Sequence, residues 1–178
     1  AALVTCVAPP LHAQDVTLPP SFGVFTLASG FEPSENWVSL LAGGSIRGEY
    51  TDSATGGPCA GYFAEAPDFR IHFEAGGDLP LSFYVESQAD TVLLVNAPDG
   101  RWHCNDDASG LDPAVTFSDP TEGQYDIWVG TYAPEDDFPS ARLAVTEAEP
   151  FAATFERAFF GADDRVEVDT TVAPWNMI

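Results

Sequence analysis

Between Val16 and Glu147 the chain alternates short apolar runs with clusters of Gly, Pro, Asn and Asp, and within several runs apolar and polar residues trade places at every second position. A period of two belongs to extended backbone, where successive side chains point to opposite faces. It does not build the apolar stripe of a helix. In 69–75, Phe69, Ile71 and Phe73 share one face, and Arg70, His72 and Glu74 share the other. The same period turns Leu81, Phe83 and Val85 inward, and later Tyr125, Ile127 and Val129. The run TVLLVN, 91–96, is continuously apolar through its middle, as suits a central strand buried on both faces, and the Ala97-Pro98-Asp99-Gly100 turn ends it.

Further strands are expected at 22–28, 36–41, 45–50, 114–118 and 141–147, with polar exposed loops at 51–58 and 135–137. The fold expected is all-β: an antiparallel two-sheet β-sandwich, jelly-roll-like, of about eight or nine strands. The segment EPFAATFERAFF, 149–160, is the best candidate for a helical stretch and reads as a linker after the sandwich.

Charge excludes whole classes of partner. There are 28 Asp plus Glu against six Arg and no Lys, for a net charge of −22. Such a surface repels phosphate backbones and anionic lipid, so nucleic-acid binding is not expected. Residues 1–13, AALVTCVAPPLHA, are apolar and uncharged, too short to span a bilayer, and end on a small residue. They read as the remnant of a secretory signal, which makes the protein secreted or periplasmic. Removing them takes Cys6 and leaves Cys59 and Cys104, and an even pair in an exported chain reads as a disulfide.

Two stretches carry family resemblances. The first runs from about Phe22 to Glu147. In it, CAGYFAEAPDFRIHFEAG is followed by LPLSFYVESQADTVLLVNAPDGRWHCNDDASGLDPAVTF and GQYDIWVGTY. This order resembles the bacterial pre-peptidase C-terminal (PPC) β-sandwich, a non-catalytic appendage of exported proteases, which implies a role in secretion, maturation or substrate attachment. The second, 161–178, contains Gly161, Asp163, Asp164, Arg165, Thr170, Thr171, Pro174 and Trp175. It resembles the opening of a trypsin-like serine peptidase domain of the glutamyl-endopeptidase branch. The chain thus divides into 1–13 signal remnant, 14–148 PPC-like sandwich, 149–160 linker and 161–178 truncated start of a peptidase-like domain. Catalytic residues are not expected within it: a triad needs a histidine between an acid and a serine, and His12, His72 and His103 lack that context.

Three further constellations could carry chemistry. Asp99, Asn105, Asp106, Asp107 and Asp112 concentrate oxygen ligands of the kind calcium takes, while their alternative role is in Asx-turns and a solvated loop. Tyr84, Trp102, Trp128 and Tyr132 would make a glycan or peptide platform if they shared an outer face, and core packing if they did not. Glu156-Arg157 in the linker is a candidate processing site. The function expected is a non-catalytic N-terminal accessory or pro-domain of a secreted trypsin-like serine peptidase precursor. Its partner would be its own downstream peptidase domain or an extracellular surface. The alternative is a stand-alone extracellular β-sandwich binding module for calcium, glycan or protein.

Overall fold

The computed structural model describes residues 14–32, 34–134 and 137–151. Residues 1–13, read above as a signal remnant, and 152–178, with the candidate processing residues Glu156 and Arg157 and the stretch resembling a peptidase start, lie outside them. The described residues hold eleven strands in two sheets, two more than expected at most. In chain order they are β1 Val24–Ala28, β2 Glu35–Leu41, β3 Ile46–Thr51, β4 Pro58–Phe63, β5 Phe69–Glu74, β6 Leu81–Ser87, β7 Thr91–Asn96, β8 Trp102–Asn105, β9 Ala114–Phe117, β10 Gly123–Thr131 and β11 Ser140–Thr146.

The smaller sheet is antiparallel in the order β2-β11-β6-β9. The larger one is organised around β10, whose one edge pairs with β7 along Asp126–Thr131. Its other edge is shared: β5 pairs with it from Gly123 to Ile127, and β4 meets it at Thr131. Beyond β5 lies β1, which pairs in parallel, a departure from the all-antiparallel expectation.

The fork on β10 leaves Val129 between two departing neighbours, and its backbone groups must still be satisfied. The Asp68 carboxylate accepts from the Val129 N–H at 2.7 Å, and the Val129 carbonyl accepts from the Gly43 N–H at 2.8 Å. Asp68 thereby stands in for a strand.

The main core fills the space between the sheets with the residues that the alternation turns inward: Phe69, Ile71 and Phe73; Leu81, Phe83 and Val85; Tyr125, Ile127 and Val129. A second core lies on the other face of β7 and β10. The large sheet rolls over on itself there, because β7 pairs with β8, β3 pairs with β4, and a bridge between Asp52 and Cys104 joins the end of β3 to β8. The roll encloses Phe63, Val92, Leu94, Trp128 and the Cys59–Cys104 disulfide, whose Cα atoms are 6.1 Å apart. Gly130 makes this tight curl possible, since a Cβ there would lie 2.6 Å from the Phe63 ring. TVLLVN is buried on both faces: Leu93 and Val95 enter the main core, Val92 and Leu94 the second.

The roll is closed by the segment entering β1. Val16 packs on the second core, and Arg70 ties the segment down through the Val16 and Leu18 carbonyls at 2.7 and 3.2 Å. Arg70 is itself held by the buried Asp126 at 2.6 Å. Among the described residues no helix is long and apolar enough to cross a membrane.

Candidate functional site

The outward face of the small sheet carries a feature that its strands build together. Alternation places Trp37 on β2, Arg142 on β11 and Tyr84 on β6 opposite the core residues Val38, Leu143 and Phe83. Because β11 lies between β2 and β6, the three side chains meet across it. The Arg142 guanidinium lies 4.0 Å over the Trp37 ring, a cation–π contact, and Trp37 meets Tyr84 edge to face at 5.2 Å. Glu35 accepts from both the Trp37 indole N–H, at 2.9 Å, and the Tyr84 hydroxyl. Burial, with the nearby Glu35 carboxylate, pushes the Tyr84 phenol up from its ordinary value.

Tyr84 is fully buried although it points away from the core. Phe151 helps cover it, with ring centroids 4.5 Å apart. Phe151 is the last of the described residues. Phe151 has φ 64°, in the left-handed region that bulky residues avoid at a cost of about 1–2 kcal/mol. Two clefts border its ring. One, of about 790 Å³, crosses the sheet past Ser39, Leu41, Ser87, Ser140 and Arg142. The other, of about 820 Å³, lies toward β9 and includes Glu149 and Pro150, the residues leading into Phe151.

The structure disperses the residues gathered as a cation site. Asp99 is exposed in the β7–β8 turn, accepts from the Arg101 N–H at 3.0 Å and pairs with the Arg101 side chain. Asn105 is buried and structural: it donates to Asp52 at 2.9 Å and accepts from the Ala114 N–H at 2.9 Å. Asp112 accepts from the Ser87 N–H at 3.1 Å, and burial raises its carboxyl above the ordinary value. Asp106 is half-buried and raised by burial, with Asp107 and Asp52 adding, while Asp107 is exposed. Among the described residues the one convergent group is Asp52, Cys59 and Asp106, within 4.8 Å, and Cys59 is taken up by the disulfide.

Asp52 has a clear structural role. Its Oδ1 accepts from the N–H groups of Ala54 and Thr55 and from the Thr55 hydroxyl, and its Oδ2 from Asn105. Burial works against its charge, yet these hydrogen bonds hold the carboxyl below the usual range. Replacing Asp52 by Ala is expected to lower stability by about 2 kcal/mol, since a turn is released and the buried Asn105 amide is left unpaired. Asp107→Ala should stay within about 0.5 kcal/mol. Urea denaturation of both variants checks the contrast.

The four aromatics do not form one platform. Trp128 is fully buried in the second core, where it packs on Trp102 at 5.3 Å. Tyr84 lies on the other sheet, and Tyr132 is exposed beyond the end of β10. The two described histidines do not assemble a catalytic group either, and His12 lies outside the described residues. His72 is exposed on β5, and half-buried His103 packs edge-on against Phe117 at 4.7 Å, its pKa lowered by burial. Trp37 and Arg142, which the sequence reading passed over, did leave a signal: a tryptophan at an outward strand position, opposite Val38 and Leu40, needs a cover.

No protein-family profile and no curated protein matches the chain. Among solved structures it is similar to PliG of Aeromonas hydrophila, a periplasmic inhibitor of g-type lysozyme. The identity is 15% and the TM-score 0.33, over 69% of this chain and 96% of PliG. The fold and its covalent tie define the class: a disulfide-bonded all-β sandwich domain.

Proposed function

We propose that the chain is the non-catalytic N-terminal accessory or pro-domain of a secreted trypsin-like serine peptidase precursor, assisting its secretion, maturation or targeting. The observation that carries this reading is the seat of Phe151 on Tyr84. Phe151, on the outward face of the small sheet, stands in sequence shortly before the stretch 161–178 that resembles a peptidase start. A disulfide buried in the second core suits an oxidising, exported setting. A stand-alone module for calcium, glycan or protein has less behind it, because the acidic residues lie apart and the aromatics divide between two sheets.

The coding sequence downstream of Ile178 supplies one test. A histidine after two alanines within some tens of residues and a later Gly-Asp-Ser-Gly would support the reading, and another sandwich in their place would overturn it. The second test is functional. Deleting 14–148 from the full-length precursor is expected to abolish or sharply reduce peptidase activity in the culture medium, and unchanged activity would count against the proposal.

A further inference from the structure

An open sheet edge presents unpaired N–H and C=O groups, and edge strands usually guard them with charge, proline, shortness or a covering segment. In the small sheet β2 carries Glu35 at one edge, and β9 at the other has four residues. In the large sheet β3 carries Arg47 and Glu49, and the end of β3 is bridged to β8 where the roll closes. β1 has none of these devices. Its sequence VFTLA holds no charge and no proline, and among the described residues it pairs with β5 alone.

The ladder fixes which backbone groups of β1 are spare. The Gly23 carbonyl accepts from the Arg70 N–H at 3.2 Å and the Ser29 N–H donates to the Glu74 carbonyl at 2.9 Å, so the odd-numbered residues turn their backbone groups to β5. Those of Val24, Thr26 and Ala28 therefore face the open side. Apolar surface is left there too. Val24 is 47% and Phe22 39% exposed, and Phe25 and Leu27, which pack on the main core, are only partly buried.

This edge is complementary to itself. A second β1 laid on it antiparallel, with a two-fold axis at Thr26, sets Thr26 opposite Thr26 and Val24 opposite Ala28, and every spare group finds a partner in about six hydrogen bonds. Phe25 then lies opposite Leu27 of the second copy in the closer, non-hydrogen-bonded pairing on the core face, so each covers the other. Charge selects the same place. In a chain of net charge −22, residues 16–31 are the longest uncharged run among the described residues, and β1 lies inside it. Val24 stands beside Arg70 and Ala28 beside Glu74, so each outer row ends in Arg70 of one copy and Glu74 of the other, and no row sets carboxylate against carboxylate.

We propose that β1 is a self-association edge, on which β1 of a second copy of this chain adds antiparallel about Thr26 and joins the two large sheets into one. Main-chain hydrogen bonds supply the contact, and its small extent makes the dimer weak and dependent on concentration. Salt favours it by screening the two acidic surfaces from each other.

Sedimentation equilibrium of the 178-residue chain tests this. The average mass is expected to rise toward that of two chains between about 10 µM and about 1 mM, and to do so at lower concentration in about 0.5 M salt than in about 0.05 M. Thr26→Pro removes an N–H that β5 does not use, and Thr26→Lys sets two ammonium groups opposite each other. Each should weaken the dimer at least about tenfold, with melting curves checking that both variants stay folded. In wild-type hydrogen exchange the amides of Val24, Thr26 and Ala28 should slow at least about tenfold from the dilute to the concentrated sample, while those of Phe25 and Leu27 stay constant. A wild type that remains monomeric throughout overturns the proposal. So does a dimer that survives both substitutions or leaves the Val24, Thr26 and Ala28 amides unchanged, because the contact then lies elsewhere on the molecule.

Discussion

Replacing Cys59 and Cys104 together by alanine is expected to lower the unfolding free energy by about 4 kcal/mol, the loop-closure value for a sequence separation of 45. A domain of this size is stable by about 5–15 kcal/mol in all. The loss would therefore take a large share of the total. The bridge lies where it matters most. Cys59 on β4 and Cys104 on β8 belong to strands on opposite sides of the rolled sheet, and both are buried beside Trp128. The other ties across that gap include the Asp52–Cys104 bridge, the Ser53 N–H to the Cys104 carbonyl at 2.8 Å, the Cys104 N–H to the Ser53 hydroxyl at 3.1 Å, the Asn105 amide to Asp52 at 2.9 Å and the Tyr50–Trp102 ring contact at 5.7 Å. Guanidinium denaturation of the double variant checks the size. Reductant should destabilise the wild type and leave the variant unchanged. A loss below about 1 kcal/mol would mean that the roll is held by packing alone.

The disulfide pairing follows from counting cysteines, but the strands that carry it were not legible. β4 begins at a proline and contains Gly61, and β8 has four residues, so neither shows enough alternation to separate it from the loops around it. The strands that were legible are long and alternate cleanly: β5, β6 and β10 place their expected inward residues in the core. What makes the second core is non-local. It depends on β3 reaching β8 through one bridge and on β10 changing partners midway, and no local pattern encodes either event. The parallel pairing of β1 with β5 is hidden for the same reason.

The candidate site divides along a similar line. Alternation alone sets Trp37 and Tyr84 outward on their strands, whereas their meeting requires β2 and β6 to flank β11, a strand order that the sequence does not spell out. The acidic residues misled in the opposite sense. Asn105 and Asp107 lie two apart yet in different surroundings, because β8 ends at Asn105, which is buried, and Asp107 is exposed in the loop beyond it, so local acid density is no measure of convergence. Asp52, which was not among the candidates, is the carboxylate that Asn105 in fact meets.

Stability is expected to fall as pH rises from about 4 to 7, and Asp68 is the largest single reason. Its carboxyl is 3% exposed and takes one N–H, from Val129. Burial raises its pKa from 3.8 to about 7, the Val129 hydrogen bond opposing. The sign follows from proton binding. Between those values the unfolded chain has released the proton and the folded chain retains it, so the stabilisation is complete below about pH 4 and lost as pH passes 7. At about 1.4 kcal/mol per pH unit the span amounts to about 4 kcal/mol as an upper bound. Asp90, Asp106 and Asp112, all raised by burial, act in the same direction, whereas Asp15 and Asp52, held below the usual range, act against it. Asp68→Asn isolates the one group: the amide oxygen still accepts from the Val129 N–H, and nothing titrates. Denaturation at pH 4.5 and pH 8 should find the variant close to wild type at the lower pH and about 2–4 kcal/mol more stable at the higher. A difference between the two proteins that does not change with pH would show that the fork on β10 holds its carboxyl ionised throughout.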